Sequence, residues 1–295
     1  MAAQHTKSWT VGDVRITRIY ELKDQTDCSF LLPDATAEMV KKYEWLRPHF
    51  ATAEGQIIVW FQAFVVTFGK RRIMVDTCVG NDKIREFELF TKTRTSFLED
   101  LAAAGCPPET IDTVLCTHLH LDHVGWNTRL VEGRWVPTFP NARYLFGRAE
   151  WEYWKTLLPE KSLRAQHLVD SVLPILDAGL ADFVEPDHRV ADELWLEPTP
   201  GHTPGHVSVH IASRGHHAVI SGDIFHHPFQ FAEPDLPSAF CIDGQLACKT
   251  RRAFLSRYED RKALLIGTHF PDPTVGWIIR DAHNWRFSCG ESAGD

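Results

Sequence analysis

Residues 117–125 read THLHLDHVG, and the reading of this stretch decides the fold. It gathers His118, His120, Asp122 and His123 into one short run. The apolar segment Asp112–Thr117 leads into it and reads as a β-strand. In an extended chain, residues i, i+2 and i+4 point to one side, so His118, His120 and Asp122 can converge on one point. His123 points elsewhere unless the chain turns there, and Gly125 permits a turn. Imidazole nitrogen with carboxylate oxygen is a ligand set that suits zinc. The chain has 16 histidines, so one such run is informative without being decisive.

Three further segments have the same placement at the end of an apolar run. EPTPGHTPGH carries His202 among Pro-Gly turns, VISGD carries Asp223, and LLIGTH carries His269. Loops at strand ends on a rigid sheet are where sites are usually built. Strands are expected at Val11–Tyr20 (bent or paired around Gly12-Asp13), Ile57–Phe68, Ile73–Asp76, Arg143–Phe146, Leu194–Thr199, Val207–Ala212 and His217–Ser221. Ala263–Gly267 is expected to be the last core strand. Helices are expected at Ala35–Trp45, Thr95–Ala104, Arg148–Leu157, Ser162–Leu176 and Ala247–Tyr258. Strands and helices interleave, so the class is α/β or α+β.

The chain has 295 residues, 44% hydrophobic and 24% charged, with a formal net charge of −8. This is the composition of an ordinary globular chain. The acidic balance disfavours nucleic acid or an anionic membrane as partner. No apolar run is long enough to span a bilayer, and the start, MAAQHTKSWTVG, lacks the apolar core of a signal peptide. A cytoplasmic location is therefore expected. Seven cysteines without a CxxC pair read as reduced thiols.

With these segments in view, the chain resembles the metallo-β-lactamase-fold hydrolases, nearest to their lactonase and methyl-parathion-hydrolase-like branch. The likeness runs from about Ile57 to His269, in family order: VDT with Asp76, HLHLDH, GHTPGH with His202, GD with Asp223 and GTH with His269. It implies a four-layer αββα sandwich, taken as a single domain over residues 1–295; the stretch 24–55, which lies before the core motifs, reads as a lid or dimer arm. It implies two Zn2+ ions or other divalent metals. By the same likeness His118, His120 and His202 match the ligands of the first, and Asp122, His123 and His269 those of the second. Asp223 matches the carboxylate that bridges them, and Asp76 an acid that orients a ligand histidine. His206 belongs to the same loop motif and reads as structural. His188, His210, His216, His217 and His227 read as solvated or packed.

The chemistry so implied is hydrolysis by a metal-bridging hydroxide, with Asp122 or Asp223 receiving the proton as the intermediate collapses. Lactones, esters, amides and phosphotriesters all suit it. Lactonases of the family place a tyrosine three residues after the bridging aspartate. This chain has His226, whose ring N–H can donate to an oxyanion. Trp126, Phe225, Phe229 and Phe231, with Phe87 and Phe90, are candidates for an apolar pocket, which favours a hydrophobic lactone or ester, aryl or phosphotriester substrates included. A homodimer is expected from similar enzymes. The rival readings are a β-lactamase-like amide hydrolase and a non-catalytic binding protein on this fold; the seven intact ligand positions disfavour the second.

Overall fold

The computed structural model describes residues 6–160, 162–260 and 262–289. These residues fall into two compact units, one drawn from Met1–Leu22 and Phe61–His188, the other from Lys23–Trp60 and Arg189–Asp295.

The first unit is organised by a seven-stranded mixed sheet. Strands β1 (Thr6–Val11) and β2 (Val14–Thr26) form a hairpin, with Val11 paired to Val14 and Gly12 at φ +57° in the turn. Strands β3 (Ile57–Phe68) and β4 (Arg71–Val75) pair antiparallel, and β5 (Thr113–Leu115) lies parallel to β4. A separate ribbon, β6 (Thr128–Val131) with β7 (Arg134–Pro137), precedes β8 (Arg143–Gly147) and β9 (Ala181–Val184). The sheet order is β1-β2-β3-β4-β5-β8-β9, with β5, β8 and β9 parallel. All three residues of β5 are buried, as expected of a parallel strand covered on both faces. Its core includes Val65, Met74, Val114, Leu119, Phe146 and Leu168. Helices Phe97–Ala103 and Arg148–Trp154 lie within the expected ranges.

The helix expected over Ser162–Leu176 is broken. The chain makes a 3-10 turn at Leu163–Ala165, a wide turn at Leu168–Val172 and an α-helix at Leu173–Asp177. Pro174 has no N–H to give the carbonyl four residues back, which belongs to Asp170. That carbonyl accepts instead from the Lys83 ammonium, at 3.1 Å, and from the Thr128 hydroxyl. The Asp170 carboxylate takes both arms of the buried Arg85 guanidinium, at 2.6 and 2.9 Å. Lys83 is fully buried over the Trp135 ring, and burial lowers its pKa to about 7.

The second unit carries another seven-stranded mixed sheet, in chain order: β10 (Arg189–Ala191), β11 (Leu194–Pro198), β12 (Val207–Ser213), β13 (His216–Ile220), β14 (Leu264–Ile266), β15 (Val275–Asp281) and β16 (Asn284–Ser288). Only β13 and β14 run parallel. The expectation that 263–267 is the last core strand is therefore corrected. β15 and β16 follow as a hairpin that buries Ile278, Trp285 and Phe287, an alternation too short to stand out among polar neighbours. The helix Gly244–Tyr258 starts earlier than expected because Asp243 caps it, its carboxylate accepting from the Leu246 amide at 2.9 Å.

Residues 24–55, read as a lid or dimer arm, are packed into this second unit. The helix expected at Ala35–Trp45 is shorter, Ala37–Lys41, followed by a turn at Glu44–Leu46. Tyr43 donates to Glu233 at 2.6 Å and rests its ring against Phe229. The His227 ring donates to the Phe50 carbonyl at 2.8 Å. Among the described residues no helix is long and apolar enough to cross a membrane.

Candidate metal centre

The first unit brings His118, His120, Asp122 and His123 onto the single loop that leaves β5. Asp76, just past β4, takes φ +57°, a left-handed conformation that aspartate tolerates better than most residues. Its carboxylate faces that loop. It accepts from the Thr117 amide at 2.7 Å, from the Thr117 hydroxyl at 2.9 Å, and from His123 Nδ1 at 2.9 Å. A carboxylate only accepts, so His123 carries its proton on Nδ1 and its lone pair on Nε2. The Thr117 hydroxyl spends its own proton on Asp76, so it accepts from His118 Nδ1 at 3.1 Å. That puts the His118 lone pair on Nε2, 3.0 Å from His120 Nδ1. The one acid read as orienting a histidine thus sets two of them, in the tautomer a metal requires.

The loop can close only because residue 125 is glycine. A Cβ at Gly125 would lie 1.8 Å from the Val79 carbonyl oxygen. His118 and His123 are fully buried, while His120 and Asp122 are half-buried.

The second unit gathers its donors from three separate strand ends. His202 lies in the turn between β11 and β12, Asp223 after β13, and His269 after β14. Three imidazoles ring the Asp223 carboxylate: His269 Nε2 at 3.2 Å, His226 Nε2 at 3.3 Å and His202 Nε2 at 3.4 Å. His269 Nδ1 donates to the Trp60 carbonyl at 2.9 Å, which again leaves the lone pair on Nε2. His202 Nδ1 is 3.6 Å from the Cys241 thiol, whose pKa burial raises to about 11. The His226 ring stacks at 5° on that of His269.

His206 is structural, as its place in the loop suggested. Its Nε2 accepts the Asp223 amide at 2.8 Å, so its proton sits on Nδ1, facing Thr199. Gly222, at φ +55°, makes room: a Cβ there would come within 2.5 Å of that ring nitrogen. His227 is packed and buried, its pKa lowered to about 4 by burial.

Several aromatic residues read as pocket candidates belong to cores instead. Trp126 stacks on Phe97 and donates to the buried Glu21 at 2.6 Å. Phe225, Phe229 and Phe231 are fully buried in the second unit. They follow Asp223 in sequence, but the helix Phe229–Ala232 carries Phe229 and Phe231 inward, and Phe225 stacks on Phe231. Phe87 and Phe90 form an edge-to-face cluster with Phe61 in the first unit. The seven cysteines are free thiols, and burial raises those of Cys78 and Cys116 well above the ordinary value.

Sequence reasoning missed three supports: Thr117, the Trp60 carbonyl and Cys241. None belongs to a histidine or aspartate pattern. Only Thr117, flanking the motif, carried a positional signal.

Comparison with known proteins finds a family and several relatives. The family model "Metallo-beta-lactamase superfamily" matches residues 62–269. An N-acyl homoserine lactonase of Bacillus cereus is 32% identical over 46% of this chain and 52% of its own, so the chain spans about half of that relative. One of Bacillus thuringiensis is 28% identical over 67% of this chain and 76% of its own. Among solved structures, the hydrolase AbOPH of the beta lactamase superfamily aligns with a TM-score of 0.80 at 25% identity, over 98% of this chain and 99% of that one. AidC, a dizinc quorum-quenching lactonase, aligns with a TM-score of 0.78 at 21% identity, over 98% of each chain. The two mixed sheets with their helices are the metallo-beta-lactamase fold, and the chain belongs to the metallo-beta-lactamase superfamily.

Proposed function

We propose that this chain is a dinuclear metal-dependent hydrolase that opens a hydrophobic lactone or cleaves an ester. The observation that carries the reading is the donor chemistry. The first unit presents imidazole and carboxylate donors on one loop, His118, His120, Asp122 and His123, and the second presents His202, Asp223 and His269 at strand ends. The donors fit a zinc-type ion: imidazole and carboxylate, with the outer nitrogens of His118, His123 and His269 already engaged so that Nε2 offers its lone pair. The lactonase names of the relatives and the dizinc lactonase among the structural neighbours support the substrate class and the metal.

When bound, two divalent ions would supply a water of lowered pKa and a Lewis acid for the scissile carbonyl. The chain's own residues do the rest. Asp122 and Asp223 hold the proton on its way to the leaving oxygen. His226, beside Asp223, donates a ring N–H to the oxygen that gains charge in the transition state. Phe87, the half-buried member of the cluster it forms with the buried Phe61 and Phe90, offers apolar surface to an acyl or aryl group.

A panel of acyl lactones, aryl esters, phosphotriesters and β-lactams, assayed with defined metals, tests the proposal. Lactone or ester turnover that stops on chelation and returns with Zn2+ is the expected result. Turnover indifferent to chelator, or confined to β-lactams, contradicts it.

A further inference from the structure

Glu150 is a charged side chain that the proposed chemistry does not use, yet it is 1% exposed. It lies in the helix Arg148–Trp154. Its Oε2 accepts two hydrogen bonds, one from the Leu119 amide at 3.1 Å and one from the Trp154 indole at 2.8 Å. Leu119 is the residue between His118 and His120. The Trp154 ring in turn meets the His120 ring edge-on, with centroids 5.2 Å apart. One carboxylate therefore fixes both the peptide that joins the two histidines and the aromatic wall against which one of them rests. Removing a buried acceptor leaves its donors unpaired, which costs more than the hydrogen bonds themselves contribute. His123 has a different holder, Asp76.

We propose that Glu150 is a positioning residue for the His118–His120 pair, acting through Leu119 and Trp154, and that it sets the affinity of one metal ion and not the other. This rests on the two-ion reading above. The two acids then divide the labour. Asp76 governs His118 and His123 together, whereas Glu150 governs the spacing of His118 and His120 alone.

The test is a stepwise Co2+ titration of metal-stripped protein, followed by visible absorption, against a competing chelator. The step abolished by His120→Ala identifies the ion concerned. Glu150→Ala is expected to weaken that step by about 10- to 100-fold, the usual cost of losing such a support, and to leave the other step within about twofold. Glu150→Gln keeps an acceptor oxygen and should restore most of the affinity. Trp154→Phe keeps the ring and loses the indole donor, so it should shift the absorption of the same step at unchanged stoichiometry. If Glu150→Ala fails to fold, Glu150→Gln and Trp154→Phe carry the test: a selective change in that one step supports the proposal. Equal weakening of both steps, or no change in either, overturns it. A wild-type protein that takes up no Co2+ contradicts the two-ion reading itself, a distinct result.

Discussion

The two units carry similar donors but secure them by different means. In the first, four donors sit on one short loop and two buried carboxylates hold it: Asp76 and Glu150. In the second, three donors come from three strand ends, and their supports are a backbone carbonyl, a thiol and a neutral imidazole. The first arrangement is preorganised by charge-assisted hydrogen bonds. The second is preorganised by the register of a sheet, with β13 and β14 placing Asp223 and His269. Side-chain substitutions near the loop should therefore act through metal affinity. Their counterparts in the second unit should act through the sheet.

The largest expected effect falls on Asp223, the carboxylate that three imidazoles surround. Asp223→Ala is expected to lower kcat/KM by about 10^3-fold or more and to remove metal; steady-state kinetics with metal analysis checks this, and retained turnover breaks the account. Next, Asp76→Ala should cost about 10- to 100-fold in metal affinity, while Cys241→Ala, which loses only a weak sulfur acceptor, should cost less than about tenfold. Parallel chelator competition compares the two; equal losses would erase the distinction between the units.

A third expectation concerns acid. Each unit hides a histidine whose pKa burial lowers: His167 to about 3 and His227 to about 4. A depressed folded pKa means that the unfolded chain binds the extra proton first. The stability these neutral rings represent is complete above about pH 6.5 and is lost as pH falls through about 4 and then 3. For His227 alone the loss is about 3 kcal/mol. Denaturant unfolding at pH 7 and pH 4 should show it, and His227→Gln, which does not titrate, should flatten the dependence. A fourth expectation concerns His226. His226→Ala should change turnover or substrate preference by about tenfold while the metal content stays put.

Legibility followed the same division. The loop of the first unit was readable because its donors are contiguous and their i, i+2, i+4 spacing has a geometric meaning in an extended chain. His202, Asp223 and His269 were readable only as a set, each being a single polar residue after an apolar strand; it was the resemblance to a family that tied them together. Of the supports, His206 and Asp76 were legible through the same resemblance, and most of the rest were not. Trp60 contributes a carbonyl, which has no residue-type signature, and Glu150 looked like any acid on an amphipathic helix. The misread helix at 162–176 shows another limit. Pro174 was visible, but the buried Lys83 and Thr128 that take over the Asp170 carbonyl are remote in sequence. Trp126, Phe225, Phe229 and Phe231 were placed near the metals by proximity along the chain, and packing overruled proximity.

The central claim is that seven side chains hold two ions. Its most direct test is the metal content of the protein after reconstitution with excess Zn2+ and gel filtration, read by elemental analysis. The account predicts about two ions per chain, falling to about one or fewer in Asp223→Ala. A chain that retains none, or an Asp223→Ala variant that retains the full complement, would contradict it.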